Sequence, residues 1–416
     1  MLARERESKI KPVNFFELKK KLENFPKYPG TVVVKPGPMI NEGYPSNFNL
    51  SFAYYEWTRE EGQTGPSKQY ISFAGEMFYT KCQPCIRPQD WRSVVENGEN
   101  KYRYLSYFHM ADISGLIARM DSKYRKEIGV FAIQSLINFF KELNLDLNNI
   151  FVAYCAGGKV VDLTHGKYTF DKEVGKDPFF DEWLKAGISE GNMIPDKTRD
   201  TLLSLRNYSR PSPWGYRNEI FYKHQGKLLD IATIEHLCFE PVFDEKMNTI
   251  DINDYRHAFS ISATGVERLL MVLNDLDDVR KVDIVSPLYD LVNSQIEAID
   301  PSDADILVQT IRPIQAIIAD GGLWKTLNSR RKEIARAFYM EFANILNKYN
   351  LVIDDKIITD LFLLNADLLK EDRYKNAIPT IMAELKERIV SLGNNKDLPI
   401  EVRENYKKIL ESKDGF

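Results

Sequence analysis

The chain has 416 residues, more than the roughly 250 to 300 at which one hydrophobic core stops growing, so two domains are expected. Hydrophobic residues at 44% and charged residues at 28% exclude a disordered or fibrous chain. With 56 basic and 60 acidic residues the net charge is −4, which excludes a polyanion binder that is basic throughout; any contact with RNA has to use a local patch. No apolar run reaches the length of a membrane span, and the start MLARERESKIK lacks the apolar stretch of a signal peptide, so a cytoplasmic location with no membrane partner is expected. Four cysteines, Cys82, Cys85, Cys155 and Cys238, are too few and too scattered for a disulfide framework. Cys82 and Cys85 form a CxxC, but no second CxxC or histidine pair accompanies it, and a zinc or redox role gains no support.

In chain order, residues 1–50 read as an extension: a charged helical stretch, FFELKKKLENF, precedes a Pro- and Gly-rich loop, YPGTVVVKPGPMINEGYP. From residue 51 to about 276 the pattern is mostly strand-like, with aromatic and β-branched runs at YISFAGEMFY, KYRYLSYFHM, IFVAYCAGG, NEIFYKHQGKLLDIATI and HAFSISATG. One helical pattern, KYRKEIGVFAIQSLINFFKEL, interrupts them. Strands in runs with an inserted helix predict an α+β domain built on an antiparallel sheet flanked by helices. After Arg268 the period changes: VERLLMVLNDL, SRRKEIARAFYMEFANILNKY and IPTIMAELKERIVSL are helical, so residues 277–416 read as an all-helical domain reached through the acidic stretches DLDDVRKVD and EAIDPSDAD.

Three separated segments can carry chemistry. In YRYLSYFHM, Arg103 sits in a strand pattern between aromatics; it is either an outward, solvated position or a guanidinium whose planar fork clamps a phosphate. In SPWGYRNEIFYKHQGKLLDIATIEH, two strands meet at HQG. Asp230 on the second is either an edge residue or a carboxylate for Mg²⁺, which takes one or two carboxylates plus substrate phosphates. In SISATGVERLL, a strand passes through the small turn Ala263-Thr264-Gly265 into a helix opening with Glu267 and Arg268; Gly265 lets a backbone approach a nucleotide, and a helix N-terminus favours anions.

Taken together and in this order, the three segments resemble class II aminoacyl-tRNA synthetases, and most closely alanyl-tRNA synthetase. ISFAGEMFYTKCQPCIRPQD is similar to that family's first signature block, RYLSYFHM to motif 2, SPWGYRNEIFY to its Gly-Pro-rich loop, and ATGVERL to motif 3. IRPIQAIIADGG and the Arg-rich SRRKEIARAF resemble its helical domain that reads the acceptor stem, so the collinear match covers about residues 51–390. The resemblance implies an ATP- and Mg²⁺-dependent ligase in which Arg103 contacts the α-phosphate and the carboxylate, Arg268 contacts the γ-phosphate and Asp230 stands at the metal-binding glutamate. Arg330, Arg331 and Lys332 become the expected RNA contacts. Positioning and charge neutralisation supply most of such a displacement, and no general base is required.

The substrate pocket departs from the family. Where alanyl-tRNA synthetases pair the substrate ammonium with an Asp, this chain has Ile261. His109 replaces a motif 2 Glu, Thr233 an Asn, and Arg206 a Trp; Trp214 and His236 complete the expected pocket. Plain alternation puts His236 on the same strand face as Asp230 and Glu235 on the opposite one. His109 reads equally as a half-buried strand histidine. The editing and C-terminal dimerising regions of the family have no counterpart, which suggests a paralogue. Two functions follow: a ligase that adenylates an amino acid or related carboxylate, other than standard alanine charging, and passes it to tRNA, a carrier protein or a small amine; or a non-catalytic paralogue that binds RNA or a metabolite. Retention of Arg103, Asp230 and Arg268 together favours the ligase.

Overall fold

The computed structural model describes residues 12–25, 31–40, 48, 59–60, 63–64, 76–88, 90–91, 101–119, 127–197, 201–204, 214–246 and 248–410. Helix α1 (Phe15–Asn24) opens with a capping box in which Asn14 accepts from the Glu17 amide at 2.9 Å and Glu17 accepts from that of Asn14. Its apolar residues Phe15, Leu18 and Leu22 fall on one stripe and are buried.

The sheet strands are β1 (Val32–Val33), β4 (Glu76–Ile86), β5 (Tyr107–Arg119), β6 (Ile150–Cys155), β9 (Met193–Asp196), β10 (Leu202–Ser204), β11 (Trp214–His224), β12 (Lys227–Phe243) and β13 (Thr249–Gly265). Two further two-stranded sheets pair β2 (Arg59–Glu60) with β3 (Gln63–Thr64) and β7 (Gly158–Lys159) with β8 (Glu173–Val174). The strands run in the order β1-β4-β5-β13-β12-β11-β6-β9, with β10 beside β11. Pairing is antiparallel except at the ends, where β1 joins β4 and β6 joins β9 in parallel.

Helix α2 (Ile128–Glu142) places Ala132, Ile133, Leu136, Ile137 and Phe140 against the sheet, in one core with Ala111, Ile113, Ile220 and Ile234. Small helices α3 (Val160–Leu163) and α4 (Phe180–Ala186) fill the β6 end. After β13 the described chain is helical: α5 (Val266–Leu273), α6 (Ser286–Gln295), α7 (Pro301–Ala319), α8 (Ser329–Lys348), α9 (Lys356–Leu369), α10 (Asp372–Gly393) and α11 (Ile400–Lys408). An antiparallel sheet flanked by helices and followed by a helical region is thus the fold, as the periodicities predict. No helix among the described residues is long and apolar enough to cross a membrane.

Two expectations change. Part of the stretch read as an extension joins the core: α1 packs on β4, β5 and α5, and Met39 and Phe48 are buried. Nor is the segment around Arg103 a strand. Lys101–Arg103 forms a 3-10 turn, and its flanking rings serve as cation platforms instead of sheet residues, with Lys227 4.3 Å over Tyr102 and Arg103 5.1 Å over Tyr104.

Candidate active site

Along β5 the side chains alternate, Tyr107, His109 and Ala111 toward the core and Phe108 and Met110 toward the open face. On that open face lies a cleft floored by β5, β11, β12 and β13 and rimmed by the Lys101–Arg103 turn and the start of α5. A wider depression shares Arg103, Arg217, Glu219 and Asp230 with it.

Arg103, Asp230 and Arg268 come from a turn, a strand and a helix, and they meet here. Arg268 Nη1 donates to Asp230 Oδ2 at 2.5 Å, Arg103 Nη1 lies 3.5 Å from Oδ1, and Arg268 Nε donates to the Arg103 carbonyl at 2.9 Å. Both guanidinium groups face the Tyr104 ring, at 5.1 and 5.5 Å. Among the described residues the buried Arg103 Nε has no acceptor. The three residues singled out in the sequence thus lie together on one cleft. Gly265 also lines the cleft, at the N-cap of α5; a Cβ there would meet only the Arg268 side chain, at 3.9 Å, so the backbone is open to a ligand.

The expected substrate pocket fares less well. Thr233 lines the cleft, its hydroxyl donating to the Asn218 carbonyl at 3.0 Å. His109 does not: it is on the core side, with Nδ1 2.7 Å from Glu267 Oε1 and its ring against Phe15 and Tyr107. Trp214 is buried in a second core, stacked 4.5 Å from Tyr168. Ile261 is buried outside the lining, paired across strands with Glu235 and Gly115. Arg206 lies outside the described residues.

His236 is turned the wrong way by a β-bulge. On β11 the neighbours Ile220 and Phe221 pair with Ala232 and Asp230, so Ile231 is an extra residue and the side-chain parity inverts there. Asp230 before the bulge and Thr233 after it both face the cleft. Consequently His236 faces the core, 4.6 Å from the Phe179 ring, and Glu235 shares the face of Asp230, the reverse of the alternation argument.

Four charged cleft residues were not singled out from sequence: Arg87, Asp90, Arg217 and Glu219. Arg87 stacks 4.9 Å over Phe108, and Arg217 pairs with Glu219. Burial pushes the Asp90 carboxyl up, against the pull of Arg87 and Arg268. The alternation of Arg217, Glu219 and Phe221 within SPWGYRNEIFY was the available signal. Cys82 and Cys85 sit three apart in β4, so they project to opposite faces, and burial pushes both thiols up to about 12. No cluster of three or more metal-ligating side chains occurs among the described residues.

On α8, Arg330 is exposed and pairs with Glu333 at 2.6 Å, Arg331 is half-buried and Lys332 lies 6.0 Å from the Trp324 ring. The three cations fan around the helix instead of forming one patch. Arg336 and Arg388 lie over the same indole, at 5.8 and 4.8 Å.

No protein-family model matches the chain, and no curated relative does. Among solved structures it is similar to asparaginyl-tRNA synthetase from Pyrococcus horikoshii complexed with asparaginyl-adenylate, at 16% identity and a TM-score of 0.28 over 64% of this chain and 66% of that one. The Entamoeba histolytica asparaginyl-tRNA synthetase, also with asparaginyl-adenylate, gives 13% and 0.30 over 64% of each. A putative aspartyl-tRNA synthetase from Leishmania major gives 12% and 0.23 over 64% of this chain and 61% of that one. The chain thus spans less than two thirds of the length of these structures.

Proposed function

We propose that the protein is an ATP-dependent ligase of the class II aminoacyl-tRNA synthetase kind, which adenylates an amino acid or related carboxylate and passes the acyl group to tRNA or to another acceptor such as a carrier protein or small amine. The convergence of Arg103, Asp230 and Arg268 on one cleft carries this reading. In the reaction a carboxylate oxygen attacks the α-phosphorus and pyrophosphate leaves. In this reading Arg103 holds the α-phosphate and the carboxylate, its Nε, which has no acceptor among the described residues, being a further donor, and Arg268 takes the γ-phosphate. Asp230 and Glu219, both on the cleft, suit Mg²⁺, which takes one or two carboxylates and keeps phosphate and water ligands. When bound, that ion neutralises phosphate charge. Asp230 holds both arginines in place until the phosphates replace it as their partner.

Standard alanine charging fits poorly. Arg87, Arg217 and Glu219 make the cleft wall charged where a methyl side chain would need an apolar seat, so a polar or acidic substrate is favoured. Residues 51–276 would form the catalytic domain. Residues 277–416 would form the acceptor-facing one, with Arg330, Arg331 and Lys332 its RNA contacts. The test is ATP–pyrophosphate exchange with amino and organic acids, with and without total tRNA. ATP binding with no exchange for any acid would favour the non-catalytic paralogue.

A further inference from the structure

Arg312 is a wholly buried cation that the fold leaves incompletely bonded. It lies on α7 with no exposure; its Nη1 donates to the Tyr107 carbonyl at 3.0 Å, and its Nε and Nη2 have no acceptor among the described residues. Such a charge costs stability, and replacing a buried charge by an apolar side chain of similar volume is often neutral or stabilising. The helix is built here to hold β5. Pro313 has no amide to give the Gln309 carbonyl, and the Ser106 hydroxyl donates to that carbonyl instead.

From Arg312 a line of contacts runs to the cleft. The guanidinium stands 5.0 Å over the Tyr107 ring, that ring meets His109 edge-on at 5.3 Å, and His109 Nδ1 lies 2.7 Å from Glu267 Oε1. The Glu267 carboxylate also accepts from the His109 amide, at 2.9 Å. Glu267 is buried, lines the cleft and sits in the first turn of α5, one residue before Arg268. Arg312 and Glu267 thus grip the same short piece of β5, Tyr107 to His109, from two helices. Burial pushes the Arg312 guanidinium down from its usual value, and the Glu267 carboxylate is the strongest of the charges that hold it up.

We propose that Arg312 is a positioning residue for the cleft: through Glu267 it fixes the first turn of α5, and so the place of Arg268. Its effect on ATP binding rests on the adenylation reading; its effect on α5 does not.

The experiment compares the full-length wild type with Arg312→Met, which removes the charge at similar volume, with Glu267→Gln and with the double variant. Thermal melting, ATP affinity by calorimetry and ligand-free amide hydrogen exchange of α5 are measured on each. Arg312→Met is expected to melt no lower than the wild type, yet to bind ATP about tenfold more weakly and to exchange about tenfold faster in α5. The double variant is expected to bind ATP no more weakly than the worse single one, as for two residues that act as a unit. Arg312→Met with α5 exchange or ATP affinity within about twofold of the wild type overturns the proposal, and so do single losses that multiply in the double variant. A lower melting temperature with faster exchange throughout the chain also overturns it, assigning Arg312 to the fold alone. Should Arg312→Met fail to fold, Arg312→Lys, which keeps the charge, decides: ATP affinity within about threefold of the wild type supports the proposal and a loss of about tenfold overturns it. Absence of ATP binding to the wild type overturns the adenylation reading instead, and the exchange of α5 still tests Arg312.

Discussion

Arg268 holds three acceptors in the cleft, the Asp230 carboxylate, the Asp230 carbonyl and the Arg103 carbonyl. The ion pair is partly exposed, 16% and 32% at the two side chains, so Arg268→Ala should cost at most about 1 kcal/mol of folding stability. The same change should lower pyrophosphate exchange by about 100-fold or more, because a charge-assisted contact to a phosphate is lost where water is partly excluded. A melting curve and an exchange assay on one preparation separate the two effects; a large loss of stability with exchange intact would assign Arg268 to the fold. At this scale the sequence carried the residues that motif order fixes, Arg103, Asp230 and Arg268. It misdirected at His109, Trp214 and His236, whose roles depend on which face a strand presents and on a second core that a local pattern does not reveal.

The bulge shows why elements, and not residues alone, decide the site. Counting by twos from Asp230 assigns residues 232–237 of β12 to the wrong face, because one extra residue at Ile231 inverts the parity until a second shift at Cys238, and no glycine or proline marks the first. Helix α1 is a second case. Its charged, lysine-rich sequence reads as a surface extension, but its buried stripe rests on β4, β5 and α5, and Phe15 lies 4.7 Å from the ring of His109. His109 in turn holds Glu267, the neighbour of Arg268. Leu18→Ala, at a fully buried position, should destabilise the protein by about 2–5 kcal/mol, and Asn14→Ala by about 1 kcal/mol through the lost cap. Chemical denaturation measures both. Values near zero would return residues 12–25 to the status of an appendage.

The change from strands to helices near residue 266 was legible from periodicity, yet it is not a boundary in the packing. One continuous core joins Leu269 and Val279 to Leu288, Leu307, Ile311 and Ile314, and α7 lies against β5 itself. At that contact Gln309 Oε1 accepts from the Ser106 amide at 2.8 Å, the Ser106 hydroxyl donates to the Gln309 carbonyl at 2.5 Å, and the buried Arg312 donates to the Tyr107 carbonyl at 3.0 Å. These bonds grip the chain just beyond Arg103. Asp305 adds a further tie on the other side, to Lys101 at 3.5 Å and to Arg280. Cutting the chain at residue 276 would expose the apolar residues of the whole contact to water and remove the acceptor that holds the Ser106 amide in place. Residues 1–276 produced alone should therefore be insoluble or bind a hydrophobic dye without a cooperative melt, whereas the full chain melts cooperatively. Within the full chain, Gln309→Ala should weaken exchange as well as stability, since it loosens the segment that carries Arg103. A soluble, cooperatively folding 1–276 fragment with intact ATP binding would show that the helical region is a separable module and that its grip on Ser106 has no part in holding the site.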